Sequence, residues 1–311
     1  MPSIVRVTQL TDTHFLEDGQ EPEGGYGYDT ADAFNAVKDH LVDNTVSDLV
    51  VVTGDVADHG RPAQYRKAAD SFGQLGSPVN VCPGNHDRDA DFSAALGRPS
   101  VSLSRSIRVN NWQFLFVDSS TGTMISDETG RLVDTGNPND RLHSNGTLGD
   151  QEKSWLRAMC TTSDADHIFV WLHHPPDPPI KLVEDLPYAD EWGQLLTELP
   201  NVRGFGAGHT HVPNDYDFGG RPVFVGPSLK NNFDLAAKTT LPPGYRTYEF
   251  APDGGITSDL HLIDDSRWPR LRLGRAIMSL FNGELTHEEL RAIAARKAAM
   301  PSNPMPQTSV R

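Results

Sequence analysis

Cysteine is nearly absent: the 311-residue chain has two, Cys82 and Cys160, far apart and in no CxxC pattern. That argues against a disulfide framework and makes a reduced, cytoplasmic protein the simplest expectation. Long apolar runs are missing too. No stretch approaches the roughly 18 consecutive apolar residues that a membrane-spanning helix needs. The N-terminus, "MPSIVRVTQLTDTHF", has no charged segment followed by a long apolar one, so it reads as a strand and not as a signal peptide. Basic residues are scarce, 27 Lys and Arg against 42 Asp and Glu, for a formal net charge of −15. A chain this acidic has no electrostatic reason to seek duplex DNA, RNA or an anionic membrane face. It also repels a phosphate-bearing small molecule unless something local, such as bound divalent cations, reverses the field.

The length suits one large α/β domain or two small ones. Strand and helix patterns alternate along it. Residues 3–12 alternate apolar and polar, 47–55 form a short continuous apolar run ending in Gly-Asp, and 77–87 lead into a turn; all three read as strands. Between them, residues 28–44 carry Ala33, Phe34, Val37 and Leu41 at helical spacing with Thr30 as N-cap, and residues 62–76 form a helix opened by Pro62. A hairpin is expected over 106–120, helices over 150–160 and 189–199, and strands over 167–176 and 202–211. Further strands lie in "RPVFVGPS" and in "GYRTYEFAPDGGITSDLHLID", the latter with a Gly-rich turn. Residues 121–145, rich in Gly, Asp, Asn, Thr and Pro, read as a long loop near the site. A catalytic domain is expected over 1–265, followed by a C-terminal extension over 266–311. In that extension Thr286 and Glu289 suit a capping box for a last helix, and the final ten or so residues are expected to be disordered.

The chemistry sits at the strand ends. "DTH" supplies Asp12 and His14, "GDVADHG" Asp55, "GNHD" Asn85 and His86, "HHPP" His173 and His174, and "GHTH" His209 and His211. Each alone has an ordinary explanation, such as a satisfied structural histidine or a turn Asp or Asn. All follow apolar strands, however, and so fall on one rim of one sheet, where open α/β sheets build their sites. Carboxylate and imidazole without thiolate suit Fe, Mn, Zn or Co. Seven strong donors exceed what one tetrahedral ion requires, so two ions bridged by one carboxylate are expected.

The set D-x-H, G-D-x-x-D, G-N-H-D, H-x-P and G-H-x-H, in that order over residues 12–211, resembles the calcineurin-like metallophosphoesterase superfamily. The resemblance implies two packed mixed β-sheets flanked by helices, with a dimetal site at the strand ends. It implies that Asp12, His14 and His211 hold one metal, that Asn85, His173 and His209 hold the other, and that Asp55 bridges. His173, not the adjacent His174, matches the ligand position of H-x-P. His86 would serve the leaving group while hydroxide held between the ions attacks phosphorus in line. Asp87 is a candidate to orient His86, or a plain turn residue, and Asp58 a candidate to support the ligands.

Narrower similarity over roughly residues 4–264 is to class III cyclic nucleotide phosphodiesterases and related glycerophosphodiesterases. It implies a small phosphodiester substrate, a 3′,5′-cyclic nucleotide such as cyclic AMP foremost, with glycerophosphodiesters as the alternative. Lys230, Asn231 and Asn232 of "PSLKNNF" fall in that family's substrate region and are expected to touch base or ribose, a solvated loop being the other reading. There are departures. Val212 stands where members often carry Gln, and the 121–145 loop is long. His59 stands where protein phosphatases carry Arg, which argues against a phosphoprotein substrate. A non-catalytic metal-binding scaffold is disfavoured because no ligand is missing. In the extension, Arg267, Arg270, Arg272 and Arg275 read as a solvated face. Trp268, Leu271, Leu273, Ile277 and Phe281 are expected to pack on the chain's own domain or to form a homo-oligomer, to which the long loop could also contribute.

Overall fold

The run Leu49–Thr53 is buried at every position because its two faces meet two different cores. Val50 and Val52 pack outward with Phe34, Val37, Tyr65 and Phe72 of two helices. Leu49 and Val51 pack inward with Trp112, Phe169 and Trp171. His167–Trp171 behaves in the same way, Phe169 and Trp171 facing inward while Ile168 and Val170 face Leu156 and Trp192 of two other helices. Two-residue periodicity thus splits each apolar strand between two layers. The result is a sandwich of helix, sheet, sheet and helix, its centre filled with aromatics: the Phe250 ring lies 4.9–5.0 Å from those of Trp112, Phe114 and Phe169.

The computed structural model describes residues 3–20, 27–87, 89–121, 124–126, 132–134, 146–180, 188–282 and 284. In chain order the elements are β1 (Val5–Leu10), α1 (Thr30–Asn44), β2 (Leu49–Thr53), α2 (Pro62–Phe72), β3 (Val79–Cys82), α3 (Asp89–Leu96), β4 (Val101–Ser102), β5 (Ser106–Val109), β6 (Trp112–Phe116), β7 (Met124–Ser126) and β8 (Leu132–Asp134). Then come α4 (Asp150–Thr162), β9 (His167–Trp171), α5 (Tyr188–Glu198), β10 (Val202–Ala207), β11 (Asn214–Phe218), β12 (Arg221–Val225), β13 (Asn232–Asp234), β14 (Thr239–Leu241), β15 (Gly244–Phe250), β16 (Ile256–Leu262) and α6 (Arg275–Phe281). One sheet has the order β16-β15-β1-β2-β3-β4, the other β11-β12-β10-β9-β6-β5. The central strands run parallel, β1-β2-β3 in one sheet and β6-β9-β10-β12 in the other. Antiparallel strands flank them, β15 and β16 beside β1 in the first sheet and β11 and β5 at the two edges of the second, while β4, parallel to β3, is the first sheet's other edge. Both sheets are therefore mixed, and the C-terminal ends of their parallel strands meet at one rim.

Two local expectations change. Asp29, not Thr30, caps α1: its Oδ1 accepts from the amides of Ala31 and Asp32, both at 2.9 Å, and Thr30 is already the first helical residue. The segment 121–145 is not wholly a loop, since β7 and β8 pair as a hairpin inside it. The start of the extension packs on the chain's own domain, one of the two arrangements expected: Trp268 is buried with Tyr28 and Ala33, and Leu273 and Phe281 are buried with Val212 and Phe233. Its arginines behave as a solvated surface where they pair: Arg267 with Asp265 at 2.9 Å and Arg270 with Asp264 at 3.1 Å. The helix expected at Thr286–Glu289 lies outside the described residues.

Candidate metal centre

Each candidate donor follows a parallel strand: Asp12 and His14 after β1, Asp55 after β2, Asn85 and His86 after β3, His173 after β9, and His209 and His211 after β10. The backbone turns sharply there. Among the described residues eight non-glycine residues have positive φ, and five are Asp12 (50°), His14 (40°), Asp55 (49°), His209 (71°) and His211 (54°). Left-handed backbone costs an ordinary residue about 1–3 kcal/mol, so its concentration on five donors marks a place where geometry is held for a purpose. Backbone bonds hold it: Asp12 N–H donates to Gly54 at 3.1 Å and His14 N–H to Asp55 at 2.9 Å. Gly54 itself has φ +83°, and a Cβ there would lie 2.7 Å from Gly84 N and from His173 Nδ1. Only glycine lets these loops close on one another.

The side chains converge. Asp55 Oδ2 lies 3.4 Å from His14 Nε2 and 3.3 Å from His173 Nε2. Asp12 Oδ1 lies 3.2 Å from His211 Nε2. His173 Nε2 lies 3.1 Å from Asn85 Oδ1. The rings of His173 and His209 are 5.1 Å apart. Donors that share one ion at about 2.0–2.2 Å stand roughly 3–3.5 Å from one another, which is the spacing found. Asp12–His14–His211, Asp12–Asp55–His173 and His173–His174–His209 are each close enough to hold an ion.

The opposite ring nitrogens are already committed, which aims the free ones inward. His14 Nδ1 donates to Asp58 at 2.8 Å, His173 Nδ1 to the Thr53 carbonyl at 2.8 Å, and His211 Nδ1 to Asn231 Oδ1. His14 Nε2, fully buried, has no hydrogen-bond partner. A buried imidazole nitrogen without a partner, facing two carboxylates, is what a metal ligand looks like. The Nδ1 of His174 is committed in the same way, to Ser119 Oγ at 2.8 Å.

The electrostatics agree. Burial, reinforced by Lys230, lowers the His14 pKa to about 3, so that ring is neutral. Burial alone would lower His173 as well, but Asp55 and Asp12 lift it to about 9. Burial would raise the two carboxyls, yet His211 holds Asp12 and His173 holds Asp55 below the ordinary carboxylate range. A proton on His173 thus sits between carboxylates where a cation would otherwise sit.

Asp87 binds backbone beneath the site. Its carboxylate accepts from the amides of Gly84, Val56 and Ala57, tying the "GNHD" loop to the "GDVAD" loop; burial and Asp55 push its pKa to about 6. The His86 ring donates from Nδ1 to the Asp58 carbonyl at 2.6 Å, and the His86 amide donates to Asp55 Oδ1 at 2.9 Å. Asp58, a side candidate in the sequence, is a hub, its carboxylate shared by His14 and Lys230. Lys230, Asn231 and Asn232, the candidates for substrate contact, sit at the rim: Lys230 pairs with Asp58, Asn231 with His211, and buried Asn232 with the backbone of Ser228 and Pro242. Val212 points into the C-terminal apolar cluster. His59 is partly exposed, its Nε2 3.6 Å from Asp58 Oδ2. Both cysteines are buried and free, and burial pushes their thiol pKa values up. No helix among the described residues is long and apolar enough to cross a membrane.

The chain is similar to known proteins to different depths. The chain is 29% identical over 276 residues to the 3′,5′-cyclic adenosine monophosphate phosphodiesterase CpdA of Escherichia coli K12, covering 85% of this chain and 92% of that protein. It is 28% identical over 218 residues to the glycerophosphodiester phosphodiesterase GpdQ of Enterobacter lignolyticus, covering 66% of this chain and 70% of that one. Among solved structures, TT1561 of Thermus thermophilus superposes with a TM-score of 0.53 at 12% identity, covering 83% of this chain and 99% of that one, a likeness of fold alone. The model of the calcineurin-like phosphoesterases matches residues 5–213. With its donor-lined rim inside that match, the chain belongs to the calcineurin-like phosphoesterase family of metal-dependent hydrolases.

Proposed function

We propose that this phosphodiesterase acts on small phosphodiesters, 3′,5′-cyclic nucleotides such as cyclic AMP foremost, through a dimetal centre. Asp12, His14 and His211 would hold one ion, Asn85, His173 and His209 the other, and Asp55 would serve both. The ions would be Fe, Mn, Zn or Co, as carboxylate and imidazole donors favour. When bound they supply charge neutralisation of the phosphate and an activated water. The observation that carries the reading is the convergence of seven donors on one rim, with His14 Nε2 buried and unbonded among them. The chain's own groups complete the chemistry. The Asn85 amide oxygen faces His173, which leaves its NH₂ able to donate to a phosphate oxygen. His86, oriented by the Asp58 carbonyl, serves the departing alkoxide.

Similarity to the cyclic AMP phosphodiesterase over most of both chains supports the substrate class. So does the net charge of −15, which disfavours a long polyanion more than a singly charged cyclic ester. The shorter likeness to the glycerophosphodiesterase keeps glycerophosphodiesters as the second reading. The test is turnover by metal-reconstituted protein of cyclic AMP, glycerophosphocholine, a phosphomonoester and long DNA. Cyclic AMP should be cleaved faster than the monoester at equal metal loading. Far faster cleavage of the monoester or of DNA overturns the reading. Shortening the 121–145 segment should change substrate preference more than metal content.

Loading the centre must also displace the proton that Asp55 and Asp12 keep on His173. Because that pKa is raised to about 9, the proton is present at neutral pH, and metal uptake should weaken as pH falls. Adding Mn²⁺ to apoprotein in weak buffer at pH 7 should acidify the solution. Uptake with no proton release would show that His173 is not a ligand.

A further inference from the structure

The loop after β12, residues 228–233, touches the set Asp12, His14 and His211 member by member. Leu229 N–H and Ser228 Oγ donate to the Asp12 carbonyl at 3.1 and 3.3 Å. Lys230 grips Asp58, whose carboxylate accepts from His14 Nδ1. Asn231 Oδ1 accepts from His211 Nδ1, and Phe233 N–H donates to the His211 carbonyl at 2.9 Å. Asn232 closes the loop on itself: its Oδ1 accepts from Ser228 N–H at 2.6 Å and its Nδ2 donates to the Ser228 carbonyl at 2.7 Å. By contrast His173, assigned to the other ion, is fixed from β2 through Thr53.

The C-terminal extension holds this loop from behind. Phe281 of α6 packs on Phe233, ring centroids 5.1 Å apart, in a cluster with Val212, Leu273 and Ile180. Val212 and Phe233 are the residues next to His211 and Asn232. Backbone bonds anchor the extension at the same place: Thr240 N–H donates to the Leu271 carbonyl at 2.8 Å and Leu273 N–H to the Lys238 carbonyl at 2.9 Å. An apolar residue at 212 thus has a reason, since it faces the extension.

We infer that loop 228–233 is the holder of one metal ion only, that Asn231 is the positioning residue for His211, and that residues 271–281 clamp the loop in register. This rests on the dimetal reading above. The contacts act by geometry. With its Nδ1 held by Asn231, the His211 ring points Nε2 at Asp12; without that bond it rotates and the ion loses a donor. Outer partners of metal ligands typically contribute about 10–100-fold in affinity.

The test is Mn²⁺ titration of the full chain, free Mn²⁺ being followed by electron paramagnetic resonance so that two binding steps are counted. Asn231→Leu should weaken one step about 10–100-fold and leave the other in place. Asn231→Asp, which still accepts from His211, should restore both. Phe281→Ala should weaken that same step less, with the far-UV circular dichroism preserved; if the fold suffers, Phe281→Leu serves instead. Two unchanged steps in Asn231→Leu, or equal loss of both in a folded variant, overturn the assignment. An unchanged isotherm for the folded Phe281 variant overturns the clamp. A native chain that shows fewer than two steps would instead count against the dimetal reading itself.

Discussion

Replacing Asp55 by alanine should leave the protein unable to retain either metal ion. Its Oδ2 lies 3.4 Å from His14 Nε2 and 3.3 Å from His173 Nε2, one from each proposed ligand set, and its Oδ1 accepts from the His86 amide at 2.9 Å. Removing one outer partner of a ligand costs about 10–100-fold in affinity; removing a carboxylate shared by both ions should cost more. Activity should fall by more than about 10³-fold, because charge neutralisation and the activated water are lost together. Elemental analysis of reconstituted protein should approach two metals per chain for the native sequence and fall near zero for Asp55→Ala. Asp55→Asn keeps an acceptor for the His86 amide, so it tests whether the negative charge itself is required. A variant that keeps one tightly bound ion would show that Asp55 serves a single site. A native chain that binds one ion with all ligands intact would sink the dimetal assignment.

The rim was legible in the sequence because its signals are local. β1, β2, β9 and β10 are strand-like segments that stop at Asp, Gly-Asp, His-His and Gly-His, and a strand that ends in a candidate metal ligand writes both facts within ten residues. Pairing of strands is not local. Nothing within "GYRTYEF" says that β15 lies beside β1, some 240 residues earlier, as the pairing of Val5 with Phe250 shows. β11 escaped because it is an edge strand with no fully buried position, and its acidic "NDYDF" reads as a turn. α3 escaped because eight residues give barely two turns of pattern. The partners of Lys230 and Asn231 are hidden for the same reason. Both residues lie at the rim, as expected, but what each faces depends on Asp58, 172 positions away, and on His211, 20 positions away. The left-handed backbone at the donors has no sequence signature beyond the flanking Gly54 and Gly208.

The sharpest division of labour concerns His86. Its ring meets that of His14 edge-on at 4.8 Å, yet its Nδ1 donates to a backbone carbonyl, that of Asp58, at 2.6 Å. A carbonyl cannot give a proton back. It therefore occupies Nδ1 and leaves Nε2 as the ring nitrogen that can serve an ester oxygen. His86→Ala should keep both metals, because none of the seven ligands is lost, yet it should lose activity. General acid help is worth about 10²–10⁴-fold, and the loss should follow the basicity of the leaving group. Cleavage that expels a ribose or glycerol alkoxide needs the proton and should suffer most. Cleavage that expels p-nitrophenolate needs little and should suffer least. Asp58→Asn supplies the contrast. It keeps the backbone carbonyl and therefore the bond to His86, while it disturbs His14 and Lys230. That variant should weaken metal retention without changing the dependence on leaving group. Measuring kcat for cyclic AMP and for bis-p-nitrophenyl phosphate, with metal content assayed in the same samples, decides between two roles for the ring. Losses that track the leaving group assign His86 to protonation; equal losses for both substrates reject that role and assign it to holding the phosphate.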